Sequence, residues 1–172
     1  IRVLLHCLAN ERTFNPYYVL VGQQLADDHV GMRVTMQYVL WDYFRELGEK
    51  HVGGHKVVRE DEEGEEYDVH VGERLRKLLH LARAYGYWIA RGALTLLVLK
   101  TVDFTALHEA GTLFLQHLLL HTFLMSQTRL PMLTPRARQN LLRAPSQVDR
   151  ERIEQLLVRG TVGQPRLAQG LF

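Results

Sequence analysis

Apolar side chains recur at intervals of three and four residues along most of the chain, which is the spacing of one face of a helix. A helix is predicted to begin at Asn15-Pro16, because Asn is a preferred N-cap and Pro fits the first turn. The same spacing and further cap residues predict helices over about Met32 to Leu47, about Glu73 to Gly92, Thr105 to about Ser126, from Thr134-Pro135, from Ser146, and from Gln164-Pro165.

Residues 93–100 allow two interpretations. Leu94, Leu96 and Val98 share a parity that suits a strand. A single strand would have no partner in this chain, so a short helix capped by Thr95 is the favoured prediction.

Glycine also stands inside the helix predicted to end at Gly92. A Gly within a helix costs about 1 kcal/mol relative to Ala. Gly86 is therefore predicted to mark a close crossing with a second helix.

These helices of ten to twenty residues, joined by short turns, predict an all-α fold of stacked antiparallel helix pairs. On the second helix, Val34, Tyr38 and Trp41 fall on one face. Core packing between adjacent helices is predicted for the aromatic series Phe14, Tyr17, Tyr18, Tyr38, Trp41, Tyr43 and Phe44.

Composition limits the class of protein. The chain has 172 residues, of which 47% are hydrophobic and 23% charged, as in one compact globular domain or at most two small ones. The single Cys7 excludes a disulfide framework and a multi-cysteine zinc site, and no apolar run is long enough to predict a membrane span. The chain starts at Ile1 and stops within an apparent helix, so we interpret it as a piece of a longer protein.

Charge is divided unevenly along the chain. Residues 1–128 carry 16 acidic and 13 basic side chains, whereas residues 129–172 carry eight arginines and three acids. We therefore divide the chain into a helical core at 1–128, with an acidic loop insertion at about 49–72, and an arginine-rich helical extension at 129–172 that packs on the core.

The arginine-rich extension has two open interpretations. A basic segment beside an acidic body is typical of a nucleic-acid contact, for which Arg136, Arg138 and Arg143 are candidates. Alternatively, it is a solvated helix face that packs on acidic residues of the body.

Candidate catalytic chemistry is sparse. The chain has no phosphate-binding Gly loop, no G-x-S-x-G motif and no H-E-x-x-H motif. His117 and His121 are spaced to share one metal ion, but nothing obvious supplies a third ligand, so partly buried histidines are the simpler interpretation. The sequence therefore predicts no enzyme, no cofactor, no metal site and no small-molecule substrate.

Three blocks of sequence carry a resemblance to a known family. They read VLLHC at 3–7 with ERTFNPYY at 11–18, QYVLWDYFREL at 37–47, and LARAYG at 81–86 followed by GAL at 92–94, VLK at 98–100 and VDF at 102–104. In order and spacing they resemble the carboxy-terminal MA-3 domain of the nucleolar MIF-4G-domain proteins, a family that includes the suppressor of glycerol defect protein.

The resemblance implies a fold, a partner and a location. MA-3 domains are HEAT-like stacks of helix pairs that bind helicases of the eIF-4A type. The nucleolar relatives work with an eIF-4A-like DEAD-box helicase in making small-subunit ribosomal RNA. By resemblance, this chain is expected to be a non-enzymatic helicase cofactor of the nucleolus that contacts its partner through Asp103 and Glu109 in the turn before a late helix. The alternative for Asp103 is a simple turn or cap acid.

Overall fold

The computed structural model describes residues 1–49, 51–54, 69–128 and 148–171. Those residues form seven α-helices and no strand, so the predicted all-α class is confirmed and the arrangement is solenoid-like. The helices are α1 (Arg2–Asn10), α2 (Pro16–Asp28), α3 (Val30–Glu46), α4 (Val69–Ala90), α5 (Glu109–Ser126), α6 (Arg150–Thr161) and α7 (Pro165–Leu171). Two 3-10 turns, Val52–Gly54 and Leu96–Leu99, connect them.

Cap chemistry explains where two helices begin. Asn15 Oδ1 accepts the backbone N–H of Tyr17 at 3.1 Å, so α2 begins at Pro16 as predicted. Asp149 Oδ1 accepts the N–H of Arg152 at 3.2 Å and starts α6. The caps predicted at Thr134 and Ser146 lie outside the described residues.

The stretch after α4 is helical. Leu96–Leu99 form a 3-10 turn that follows Thr95, so the helical alternative is confirmed over the strand. The Thr95 side chain makes no cap hydrogen bond. Trp41 Nε1 on α3 donates to the Val98 carbonyl at 2.7 Å, which joins this turn to the core.

Helix α4 lies at the centre of the molecule. Three of its buried polar side chains each reach a backbone carbonyl of a different earlier helix, so these three donors are satisfied. The three contacts are His80 Nδ1 to Leu8 O of α1 at 3.1 Å, Trp88 Nε1 to Val19 O of α2 at 2.9 Å, and Tyr85 Oη to Met36 O of α3 at 2.9 Å.

On its other side, α4 crosses α5 at the predicted glycine. A Cβ added at Gly86 would lie 2.8 Å from Leu118 O and 2.9 Å from Thr122 N. Both atoms belong to the α5 backbone, so the predicted close crossing is confirmed. Helices α4 and α5 share the most extensive interface among the described elements.

The aromatic prediction is confirmed only in part. Trp41 and Phe44 are buried as predicted. Tyr38 shares the face of Trp41, with ring centroids 5.5 Å apart, but it is 52% exposed, so its core prediction was wrong. Val34 on the same face is also exposed. Tyr17 is also exposed. The core takes Met36 instead, because α3 is apolar on several sides and its spacing does not single out one buried face.

The beginning of the acidic insertion packs on α3. Val52 is buried, and Arg45 Nη1 donates to its carbonyl at 2.9 Å. Gly53 has a φ of +83° and lies close to Trp41 and Arg45, where a Cβ would crowd both side chains. The acidic run at 60–66 lies outside the described residues, and α4 begins at Val69 rather than near Glu73.

Candidate interaction site

The turn before α5 holds the first of the two predicted partner-binding residues. Asp103 is exposed, and its Oδ1 accepts the Thr105 hydroxyl at 2.6 Å and the Thr105 backbone N–H at 3.0 Å. These two bonds, with a smaller contribution from nearby His51, hold the pKa of the Asp103 carboxyl below its ordinary value. Asp103 therefore presents a fixed negative charge on a defined turn.

The second predicted residue, Glu109, is the first residue of α5 and is exposed. A negative side chain is favourable there, because the N-terminus of a helix carries a partial positive charge. The predicted start at Thr105 was wrong: α5 begins at Glu109 with His108 at the N-cap, and the Thr105 hydroxyl is bonded to Asp103.

Sequence reasoning missed the residue that holds the start of α5. Glu49 is only 7% exposed, and its Oε1 accepts the His108 backbone N–H at 2.8 Å. The same oxygen lies 3.4 Å from His108 Nδ1 and against the Cα of Gly111, where a Cβ would collide with it. In a capping box, an acid in the first turn of a helix accepts the backbone N–H of the N-cap residue. Glu49 makes the same bond to the N-cap His108 from a distant loop. In the sequence it is one acid among many near the insertion.

A groove of about 630 Å³ adjoins the turn. Asp103 is the one acid among its described lining residues, and Lys100, Arg166 and His51 also line it. Glu109 does not line this groove, so the structure places the two predicted residues on either side of the turn rather than in one pocket. The groove has charges of both signs.

Phe104 packs between the turn before α5 and helix α7. It is partly buried against the core, and a Cβ at Gly170 would collide with its ring. Phe104 therefore packs on the core, and Gly170 allows α7 to approach the turn.

Acidity is not a property of the described body. Residues 1–49, 51–54 and 69–128 carry nine acidic side chains and ten lysines and arginines. Seven of the 16 acids of residues 1–128 lie at 60–68, outside the described residues. Asp103 in the turn and Glu109 on α5 are therefore individual acids rather than part of an acidic surface of the described residues.

The predicted RNA-contact residues Arg136, Arg138 and Arg143 lie outside the described residues. The described part of the extension brings two other arginines, Arg152 and Arg159, to one cleft with Arg91 of the body. Their spacing of seven residues could have indicated that Arg152 and Arg159 lie together, since it places them on one face of a helix. No sequence pattern points to Arg91.

The described residues were also compared with the requirements of a metal site and of a membrane-spanning helix. No group of three or more His, Cys, Asp or Glu side chains there is arranged to hold a metal ion. His117 and His121 are both partly buried on α5. No helix among residues 1–49, 69–128 and 148–171 has the length and apolar character needed to cross a bilayer.

A solenoid-like set of helices with open surface grooves is typical of domains that bind other macromolecules. The chain is similar to suppressor of glycerol defect protein 1 of Schizosaccharomyces pombe, with 31% identity over 113 residues, which are 66% of this chain and 13% of that protein. It is also similar to nucleolar MIF4G domain-containing protein 1, with 27% identity over 74% of this chain in Mus musculus and 25% identity over 69% in Homo sapiens. The predicted resemblance to these proteins is confirmed.

The chain spans 11 to 13% of the length of these relatives. Their names describe a domain type and a phenotype rather than an enzymatic activity. No protein-family model matches the chain. No solved structure matches it either.

Proposed function

We propose that this chain is the MA-3-type, non-enzymatic domain of a nucleolar scaffold that binds and tunes an eIF-4A-like DEAD-box RNA helicase during small-subunit ribosomal RNA processing. The observation that carries the proposal is the similarity to suppressor of glycerol defect protein 1 and to nucleolar MIF4G domain-containing protein 1 over about 70% of the chain. Two of these relatives are nucleolar by name.

The turn 102–109 supports the choice of contact. Asp103 is exposed and kept ionised by its bonds to Thr105, and Glu109 is exposed at the start of α5. A helicase surface that grips RNA phosphates is basic, so these acids complement it. Lys100 and Arg166 beside Asp103 favour a partner surface that also presents an acid.

The test is a calorimetric titration of the chain with a purified eIF-4A-like helicase. The variant Asp103→Lys with Glu109→Lys is expected to bind about tenfold more weakly, since it puts like charges at the contact. The control, Asp28→Lys with Glu154→Lys, makes the same charge change at exposed sites on α2 and α6 and is expected to bind normally. Equal affinity of the two variants would contradict the contact, and no binding by the unaltered chain would contradict the function.

A second function is favoured by the arginine content. The alternative is an RNA- or pre-ribosome-contacting module that uses the basic segment 129–166. Binding of RNA by the chain should then weaken steeply with added salt, because each phosphate contact releases counterions. The helicase-binding function alone does not predict that the chain binds RNA in this salt-dependent way.

A further inference from the structure

Three surface clefts of the described residues differ in the charges that line them. The groove at the turn before α5 combines Asp103 with Lys100 and Arg166. A second cleft, between α1, α3 and α4, contains the ion pairs Arg2–Asp42 at 3.0 Å and Lys77–Glu46 at 2.9 Å. The third cleft, of about 350 Å³, lies between the end of α4, the 3-10 turn Leu96–Leu99 and α6. The charged residues among its described lining are arginines: Arg91, Arg152 and Arg159.

We propose that this third cleft, the arginine cleft, binds the sugar-phosphate backbone of single-stranded RNA. The proposal rests on the second function proposed above and gives it a site that differs from Arg136, Arg138 and Arg143. It does not depend on the helicase contact.

Close packing of α6 on the body builds the cleft. A Cβ at Gly160 would lie 2.5 Å from the Cβ of Leu96, so only a glycine allows α6 to rest directly on the 3-10 turn. Gly92, with a φ of +79°, turns the chain away from the end of α4, and Leu94 N–H bonds to the Trp88 carbonyl at 3.2 Å. These contacts fix both walls.

The arginines are held in place from both walls. The Arg91 guanidinium lies 5.4 Å from the centroid of the Tyr87 ring, a cation–π distance. Arg152 Nε pairs with Asp149 Oδ2 at 2.9 Å, and its Nη1 donates to the Ser126 carbonyl at 3.4 Å at the negative end of α5. Arg159 has no acidic partner in the described part of the chain. Among the described contacts of Arg152 and Arg159, the ion pair with Asp149 is the one that offsets part of their positive charge.

The spacing of the arginines favours a polyanion over a single anion. Arg152 and Arg159 are seven residues apart on α6, which is about 10.5 Å along the helix axis. Arg91 approaches from a separate element. Guanidinium groups distributed in this way meet successive phosphates of a strand, whereas one phosphate group is best held by arginines that converge on it.

The rest of the lining suits a nucleotide strand. Gln155, Thr95 and Ser126 supply polar groups that can bond a ribose 2′-hydroxyl. Arginine planes can also stack on unpaired bases, a role that aromatic side chains often play and that none of the described lining residues can supply otherwise. A cleft of about 350 Å³ is large enough for part of a single strand.

Fluorescence anisotropy of the 172-residue chain with labelled oligouridine, at several salt concentrations, tests the proposal. The variant Arg152→Gln with Arg159→Gln is expected to bind about tenfold more weakly, with a salt slope reduced by about 1.4 because two single-strand phosphate contacts are lost. The control is Arg74→Gln with Arg150→Gln, which removes two exposed arginines outside the cleft, one of them on α6. It is expected to keep the slope and affinity of the unaltered chain.

The other outcomes distinguish failure of the cleft from failure of the RNA function. Equal weakening of both double variants contradicts the cleft and indicates diffuse attraction. Loss of binding only in Arg136→Gln with Arg138→Gln and Arg143→Gln contradicts the cleft but keeps the RNA function. No binding by the unaltered chain contradicts both. Oligouridine that is not bound while a phosphoserine peptide binds in an Arg159-dependent way would assign the cleft to a phosphopeptide instead. Thermal unfolding of each variant separates loss of binding from loss of fold.

Discussion

Glu49 and His108 are joined across 59 residues of sequence by a hydrogen bond of 2.8 Å from the His108 backbone N–H to Glu49 Oε1. The bond ties the beginning of the acidic insertion to the beginning of α5. It also sets the position of the turn that carries Asp103, because that turn ends at His108. A buried carboxylate therefore positions the predicted partner contact without lying in it.

Replacement of Glu49 by Gln should destabilise the domain. A hydrogen bond to a charged group contributes about 1.5–3 kcal/mol, and the neutral amide keeps the shape but not the charge. We expect a loss of about 1–2 kcal/mol in the free energy of unfolding in urea. Glu109→Gln, which alters an exposed acid in the first turn of α5, is the control and should cost less than about 1 kcal/mol. Equal stability of the two variants would contradict the role of Glu49.

Gly86→Ala should destabilise the crossing of α4 and α5. Its Cβ would meet backbone atoms of α5, which cannot rotate away, and overpacking of this kind costs about 1–3 kcal/mol. Gly72 lies on the same helix with no atom within 4 Å of an added Cβ. Gly72→Ala should therefore stabilise the domain by up to about 1 kcal/mol. Urea unfolding of both variants measures the difference, and changes of the same sign would refute the close crossing.

His80 should make stability depend on pH. Burial is the main cause that lowers the pKa of His80 below 6.5, and Arg83 and Arg76 act in the same direction. The folded state therefore favours the neutral ring, whose Nδ1–H donates to Leu8 O. As pH falls below about 6.5, His80 takes up a proton more readily in the unfolded chain than in the folded one. The stability that the neutral His80 ring contributes is therefore fully present above that pH and is lost as the pH falls.

The measurement for His80 is urea unfolding at several pH values between 7.5 and 5. His80→Gln should show a smaller fall in stability over that range than the unaltered chain. His29→Gln, at an exposed histidine between α2 and α3, is the control and should keep the full fall. A His80→Gln profile parallel to that of the unaltered chain would exclude His80 as the cause.

Trp88→Phe should be strongly destabilising. Trp88 is completely buried, and its Nε1 donates to the Val19 carbonyl. The change removes part of the ring and leaves that carbonyl without its second partner, for an expected loss of about 2–4 kcal/mol. Tyr38→Phe, on the exposed face of α3, should alter stability by less than about 0.5 kcal/mol. A small effect at Trp88 in urea unfolding would mean that the core repacks around the smaller ring.

The elements were largely predictable from the sequence, because they depend on local chemistry. Asn15 with Pro16 marked the start of α2, and Gly86 marked the helix crossing. The start of α5 was not predictable from local signals, because it depends on Glu49, which lies 59 residues away. The buried face of α3 was missed for a related reason: Tyr38 and Met36 are both apolar enough for a core, and only the neighbouring helices determine which one is covered.

The candidate site was predictable to a lesser extent. Asp103 was predicted through family resemblance and stays a prediction, and the structure shows that it is exposed. The net charge of residues 1–128 suggested an acidic body, but charge counted along a sequence does not show where it lies on the surface. The arginine cleft was hidden for the same reason, since Arg91 and Arg159 approach each other only through the packing of α6.

Helix α4 donates to carbonyls of α1, α2 and α3 and has no side chain at Gly86 where it meets α5. A slide of α4 by one turn, about 5.4 Å, would break all three donor contacts together and drive a side chain into the α5 backbone. The first five helices must therefore move as one rigid unit when a partner binds. Any conformational response to a partner must then come from elements outside this unit, which are α6 and α7 among the described helices.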